Sequence, residues 1–268
     1  MTDVPPLLLA PEGLAELARI ARAATLYAFD FDGTLAPIGP SRQNVRIERA
    51  VSTLLHELAR RAPVAIVTGR RVEDVRRRLG FVPVAIVGNH GAEDPARPRA
   101  TTRWTRALSS LRQCLRGHAA ALEAARIAVE DKGPSIALHY RAAPDPAAAL
   151  ALVDRVLEPA GADLRRFEGK CVVNLVAADA PDKADAVSRL LDARGCGTAF
   201  YAGDDVNDEP VFASARPDWV TAKVGLERGT RARFLVAEQR DIREVVLRLL
   251  DAVGSGKPPP RQSSASGV

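Results

Sequence analysis

The sequence predicts an α/β protein: a doubly wound, Rossmann-like parallel sheet core carrying an inserted α+β cap domain. Three observations predict it. Short apolar runs bounded by Gly, Pro or Asp alternate with amphipathic helical stretches, which is the form of a parallel sheet buried on both faces. A central stretch breaks that rhythm with runs whose apolar residues alternate, as in antiparallel strands with one wet face. The length, 268 residues, suits a core domain with a smaller one attached.

The expected core strands are residues 26–29, 64–67, 84–87, 198–202 and 219–224. Between them, residues 43–61, 71–80, 182–194 and 239–253 carry Leu, Val and Ile at helical spacing. From about residue 103 to 177 the expected order is helix, strand 127–130, strand 135–141, helix 145–158, strand 164–168 and strand 171–176. In the second of those strands Ile136, Leu138 and Tyr140 alternate with Ala137, His139 and Arg141, so the latter three are expected on a wet face. The division is therefore 1–102 with 178–253 as core, 103–177 as cap, and 254–268 as a disordered tail of Gly, Ser, Pro and Lys/Arg. Gly254-Ser255-Gly256-Lys257 looks faintly like a phosphate loop, but no strand leads into it and Pro258 follows, so it is read as chance.

Composition excludes several classes of function. Apolar residues at 47% and charged residues at 26% are ordinary for a folded globular chain. The net charge of +5 is spread out, much of it in Arg-rich helical stretches such as Arg76, Arg77 and Arg78. With aromatics at 4% there is no basic and aromatic interleaving, so no nucleic-acid partner is expected, while weak attraction for small anions is compatible. No segment approaches the roughly 20 apolar residues that span a bilayer, so no membrane partner is expected. The short apolar run 7–10 follows the acidic Asp3 and is broken by Pro11 and Glu12, which is not the form of a secretory leader. Cys114, Cys171 and Cys196 lie far apart without zinc or CxxC spacing, which fits reduced thiols in a cytoplasm. The sequence carries no signal of oligomeric state.

Ligands of an open parallel sheet sit at the carboxyl ends of its strands. The first run ends in Asp30-Phe31-Asp32-Gly33-Thr34, the second in Thr68-Gly69-Arg70, and the fourth in Gly203-Asp204-Asp205-Val206-Asn207-Asp208. Singly, each is unremarkable: a turn, a helix cap, a polar loop. Together, each at the end of an apolar run, they collect carboxylates at one rim. Asp30 and Asp32 are two apart in extended chain and emerge on one side. With Asp204 nearby they would repel unless a cation neutralised them, and an all-oxygen set selects a hard ion such as Mg2+. Such a site suits phosphoryl transfer: Asp30 as nucleophile, Asp32 as the acid and base, Thr68 as hydroxyl donor and Lys183 as cation.

These segments, namely Asp30 to Leu35, Val67-Thr68-Gly69-Arg70, Lys183, and Gly203 to Glu209, resemble the four motifs of haloacid dehalogenase phosphatases. That resemblance implies a magnesium ion held by Asp30, the backbone carbonyl of Asp32, and Asp204. It implies Asp205 and Asp208 as further ligands or as residues holding metal-bound waters.

Within that superfamily the chain is most similar to the trehalose-6-phosphate phosphatases. Gly88-Asn89-His90-Gly91-Ala92-Glu93 resembles their Gly-x-His-Gly-Ala-Glu segment, and Val129 to Gly133 with Leu138 to Arg141 resembles their cap segment. Gly169-Lys170-Cys171-Val172-Val173 resembles the start of a second cap segment. The resemblance implies that Gly69, Arg70, Asn89, His90, Glu130, Lys132, Arg141, Lys170 and Asn174 bind the substrate. Where that second segment usually continues with a glutamate, a basic residue and a proline, this chain has Asn174, Val176 and Ala177, and Ala184 follows Lys183 in place of glycine. The expectation is a hydrolase that releases phosphate from trehalose 6-phosphate through an aspartyl-phosphate. The alternative keeps the chemistry and changes the substrate to another phosphorylated disaccharide, glycoside or cyclitol. A non-catalytic sugar-phosphate sensor is disfavoured, because Asp30, Asp32, Lys183 and Asp204 are all present.

Overall fold

The computed structural model of the chain describes residues 4–21, 24–39, 45–158, 163–169 and 171–254. The first half of the core alternates α1 (Pro11–Ile20), β1 (Thr25–Phe29), α2 (Arg49–Ala59), β2 (Val64–Val67), α3 (Val72–Leu79) and β3 (Ala85–Val87). The cap follows as α4 (Pro98–Ala107), α5 (Ser109–Gly117), α6 (Ala119–Ala124), β4 (Ala128–Asp131), β5 (Ser135–His139), α7 (Pro146–Leu157), β6 (Leu164–Gly169) and β7 (Val172–Ala177). The chain then returns through α8 (Lys183–Ala193), β8 (Thr198–Gly203), α9 (Glu209–Ser214), β9 (Val220–Val224), β10 (Phe234–Val236) and α10 (Ile242–Gly254).

The core sheet has the order β10-β9-β8-β1-β2-β3, all parallel. Its centre shows why unbroken apolar runs form strands here. In β1, Tyr27 and Phe29 face the helices α1, α2 and α10, while Leu26 and Ala28 face α8 and α9. Burying a side chain of that size contributes about 1.5–3 kcal/mol, so a run that is apolar on both faces is most stable at the centre of a covered sheet. Strand order reverses between β1 and β8, and the crevice at the carboxyl end of such a switch point is where a ligand fits.

The cap sheet, β4-β5-β7-β6, is antiparallel. One face, with Ile136, Leu138, Tyr140, Val173 and Leu175, packs on Leu111, Leu115 and Val153 of α5 and α7. The other row pairs Glu130, Ala137, Asn174 and Phe167 across the four strands. Ala137, expected on a wet face, is only 1% exposed. The reason is tertiary: this face looks toward the parallel-sheet core, so its polar positions line a cavity instead of bulk water.

Some limits differ from the sequence reading. The helix expected from residue 43 begins at Arg49, and residues 40–44 lie outside the described residues. The helix expected over 145–158 uses Asp145 as its cap, accepting from the amides of Ala147 and Ala148 at 2.9 and 3.0 Å, with Pro146 at the first helical position. Helix α4 straddles the expected core–cap limit at 102/103 and packs Trp104 with Val176 and Ala177. Residues 255–268, expected as a tail, lie outside the described residues, while Gly254 ends α10. No helix among the described residues is long and apolar enough to cross a membrane.

Candidate active site

The carboxyl ends of β1 and β8 bring the acidic clusters together. The Asp30 amide donates to the Ala202 carbonyl at 2.9 Å, which continues the parallel ladder one residue beyond β1 and pins Asp30 against β8. Immediately after it the chain turns back at Gly33, whose φ of +77° is a left-handed conformation that favours glycine. The same turn presses this backbone onto the other cluster: a Cβ at position 33 would stand 2.1 Å from Asp204 Oδ2.

Lys183 sits at the start of α8, where a reciprocal capping box between Asp182 and Asp185 fixes the first turn. Its ammonium is 3.0 Å from Asp30 Oδ1 and donates to Asp208 Oδ1 at 2.6 Å. Asp208 also accepts from the Tyr201 hydroxyl at 2.6 Å and from the Asp205 amide at 2.9 Å. Burial disfavours the Lys183 charge, yet Asp208 and Asp30 outweigh it and hold its pKa above the ordinary lysine value. Burial, and then the neighbouring carboxylates of Asp208, Asp204 and Asp32 acting against Lys183, push Asp30 well above the ordinary carboxyl range. Burial and Asp208 likewise raise Tyr201.

Asp30, Asp204 and Asp208 offer ligand atoms within 4.8 Å of one another, all buried. An all-oxygen set of this charge fits a hard divalent cation, and the Asp204 carboxylate occupies the space that a side chain at position 33 would need. Asp205 and Asp208, expected as ligands or second-layer residues, differ in placement. Asp205 lies outside the acidic trio, its oxygens accepting from the Val206 amide at 2.8 Å and the Asn207 side chain at 2.7 Å. Asp208 lies within the trio but is engaged by Lys183, Tyr201 and the Asp205 amide.

The second cluster, at the end of β2, is equally ordered. The Thr68 amide donates to the Val87 carbonyl at 2.9 Å, and Thr68 Oγ1 accepts from the Arg70 amide at 3.2 Å. Arg70, expected to bind substrate, pairs in this structure with two carboxylates. Its Nε and Nη2 donate to the two oxygens of Asp32 at 2.6 and 2.7 Å, and Nη1 donates to Asp74 at 2.8 Å. This fork orients Asp32 and holds its carboxylate apart from the acidic trio. Gly69 is required by close packing, since a Cβ there would lie 2.4 Å from the His90 ring.

A cavity of about 290 Å³ joins these groups to the cap. Asp30, Asp32, Thr68, Gly69, His90, Lys183, Asp204, Asp205 and Asn207 line it from the core, and His139, Arg141, Val172 and Asn174 from the cap. Larger cavities exist, including one of about 540 Å³ on the outer edge of the cap, but that one contains none of the clustered carboxylates. Asn174 is 5% exposed. Glu130 Oε2 lies 2.9 Å from His139 Nε2, and Lys132 is buried with its ammonium donating to the Gly69 carbonyl at 3.1 Å. Asn89, also expected to bind substrate, is fully buried, donating to Glu93 at 2.7 Å and accepting from the Ser135 hydroxyl at 2.6 Å. It fastens the cap to the core. Lys170 lies outside the described residues.

Sequence reasoning missed Tyr201, which reads as core filler within an apolar run, and Arg71, whose guanidinium donates to the carbonyls of Asp131 and Lys132 at 3.1 and 3.2 Å. It also left His139 as an ordinary strand position. Position at a strand's carboxyl end was the one available signal for Tyr201.

Residues 28–232 match the trehalose-phosphatase family. A trehalose-phosphate phosphatase of Mycobacterium tuberculosis is 31% identical over 252 residues, covering 88% of this chain and 63% of that protein. The chain thus spans less than two-thirds of the length of that relative. The trehalose-6-phosphate phosphatase C-terminal domain of C. albicans superposes with a TM-score of 0.75 at 20% identity, covering 92% of this chain and 98% of that one. The sucrose-phosphatase of Synechocystis, in complex with sucrose and phosphate, superposes with a TM-score of 0.59 at 17% identity, covering 85% and 98%.

Proposed function

Because the chain belongs to the trehalose-phosphatase family, we propose that it hydrolyses a phosphorylated sugar, trehalose 6-phosphate foremost, to the free sugar and inorganic phosphate. The observation that carries this reading is the Lys183 ammonium held between Asp30 and Asp208, with Asp30 fixed at the switch point of the sheet. Phosphatases of this haloacid dehalogenase type are generally metal-dependent, and the buried acidic trio suits that. In this reading the ion is Mg2+, held by Asp30, Asp204 and the Asp32 carbonyl. When bound, it supplies positive charge that keeps Asp30 ionised and offsets charge on the transferring phosphoryl group.

Asp30 attacks phosphorus, forming the O–P bond of an aspartyl-phosphate as the bond to the sugar oxygen breaks. Asp32 enters this step as the carboxylic acid and gives its proton to the departing oxygen; the carboxylate so formed, the state that accepts from Arg70, then takes a proton from the water that cleaves the aspartyl-phosphate and restores Asp30. Lys183 and the Thr68 hydroxyl face the phosphoryl oxygens, and Arg70 holds Asp32 ready at the rim. The cap sheet closes the cavity against bulk water, with Asn174, Arg141 and His139 meeting the sugar hydroxyls. The reading includes a cytoplasmic enzyme, in keeping with three free cysteines, and a small-molecule partner only.

A second substrate reading rests on Asn174. Its amide can both donate to and accept from a hydroxyl, whereas the glutamate usual in the family only accepts, so another phosphorylated disaccharide or glycoside is favoured if that difference governs. Phosphate release with Mg2+ across trehalose 6-phosphate, sucrose 6-phosphate, glucose 6-phosphate, glycosyl-glycerate phosphates and a small aryl phosphate decides between them. Trehalose 6-phosphate leading by orders of magnitude in kcat/KM supports the first reading, and another sugar leading supports the second. Asp30→Asn is expected to abolish turnover of every substrate with the fold intact, and near-normal activity in that variant would falsify the nucleophile assignment.

A further inference from the structure

Lys132 is borne by the cap, yet it reaches into the core. Its ammonium, on a side chain only 3% exposed, donates to the Gly69 carbonyl at 3.1 Å. That carbonyl and the Arg70 amide are the two ends of one peptide group, and the Arg70 amide donates to Thr68 Oγ1 at 3.2 Å. With the oxygen of Thr68 accepting from this amide, the hydroxyl proton of Thr68 is left to donate elsewhere, and the cavity it lines holds Asp30 and Lys183. A cation on the carbonyl end of a peptide polarises it and strengthens its N–H as a donor. The peptide is also fixed sterically, since the His90 ring packs on Gly69.

From this arrangement, and resting on the phosphatase reading above, we propose that Lys132 is a positioning residue for the chemical step. Through the Gly69–Arg70 peptide it aims the Thr68 hydroxyl at the phosphoryl group when the cap is seated. Its role is not confined to holding the sugar. The backbone of Lys132 is separately secured, because Arg71 donates to the carbonyls of Asp131 and Lys132 at 3.1 and 3.2 Å. Removing the ammonium therefore leaves these two hydrogen bonds between core and cap in place.

The test is a double-mutant cycle of Lys132→Met and Thr68→Val, read in kcat with a small aryl phosphate and with the best sugar phosphate of the parent protein. An aryl phosphate has no sugar hydroxyls, so a residue that only grips the sugar cannot alter its turnover. The expected result is a fall in aryl-phosphate kcat of roughly tenfold for Lys132→Met, the scale of one charge-assisted hydrogen bond. KM is expected to change little, and Lys132→Met is expected to add nothing once Thr68 is already Val. Thermal unfolding of each variant checks that the fold survives, and Lys132→Gln, a shorter neutral donor, repeats the measurement with different packing. Parental aryl-phosphate kcat in both Lys132 variants overturns the inference, as do losses that multiply in the cycle. Absence of turnover by the parent protein on every substrate overturns the phosphatase reading and the inference with it, an outcome distinct from either.

Discussion

Gly33→Ala probes the proposed Mg2+ site without altering any of the carboxylates proposed to hold the ion. Glycine at φ +77° carries no steric penalty, whereas alanine held in the left-handed region costs about 1–2 kcal/mol. The added methyl would stand 2.1 Å from Asp204 Oδ2 and 2.3 Å from its Cγ, where side chains essentially never come closer than 3.0 Å. The gap therefore has to open by about 1 Å, and Asp204, a side chain, yields more readily than the strand end that carries residue 33. A misplacement of that size costs on the order of 100-fold in turnover at fixed metal, and a weakened ligand raises the Mg2+ concentration needed for half-maximal activity. The backbone strain alone lowers the unfolding temperature by roughly 2–8 °C for a domain of this size. Phosphate release measured against Mg2+ concentration, with thermal unfolding at zero and saturating Mg2+, reads both effects. Stabilisation by Mg2+ should shrink in the variant, because a ligand that binds only the folded state stabilises in proportion to the logarithm of its occupancy. A variant with the parental Mg2+ dependence and the parental unfolding temperature would refute the assignment of Asp204 and the reading of Gly33 together.

Two further outcomes follow from the same geometry. Tyr201→Phe removes the hydroxyl that donates to the buried Asp208, a loss of about 1.5–3 kcal/mol for a charge-assisted bond, so unfolding should fall by roughly 3–12 °C; an unchanged melting temperature would show that Lys183 and the Asp205 amide suffice to hold Asp208. Asn174→Glu places an acceptor-only group in the cavity and should shift preference among sugar phosphates while leaving aryl-phosphate turnover near parental; equal effects on both would remove Asn174 from the specificity argument.

The parts of this site that were legible in the sequence share one property: each is a local pattern at the end of an apolar run. Asp30, Thr68 and Asp204 could be placed at one rim because a buried parallel strand announces itself by composition, and ligand chemistry collects where such strands end. What was not legible depends on partners distant along the chain. The carboxylate of Asp32 meets Arg70 from 38 residues away, Ser135 meets Asn89 from 46, and Lys132 meets Gly69 from 63. No periodicity reports which of several arginines or asparagines will find a partner across a domain boundary. The ties of Arg70 to Asp32 and of Asn89 to Ser135 are of this long-range kind. Short elements were lost for a different reason: β10, at three residues, is below the length at which alternation can be counted.

The two departures from the family's cap segment also separate once the strands are in register. Asn174 and Val176 are alternate residues of β7 and point to the same side of the cap sheet, but only Asn174 reaches the cavity. Val176, 1% exposed, packs instead with Trp104, Ala177 and Ala180 where α4 crosses the sheet, and its cross-strand partner on β6 is Arg165. A basic side chain at 176 would have to bury its charge in that apolar cluster beside a second guanidinium, and like charges directly opposite in a sheet are destabilising. The cation absent from β7 thus has a counterpart one strand over, where Arg165 donates to the Pro181 carbonyl at 3.3 Å, just ahead of the turn that presents Lys183. Valine at 176 is accordingly the residue that fits this arrangement, and any change of sugar preference has to be sought at Asn174, where the side chain faces the cavity and nothing of its packing explains an amide in place of an acid.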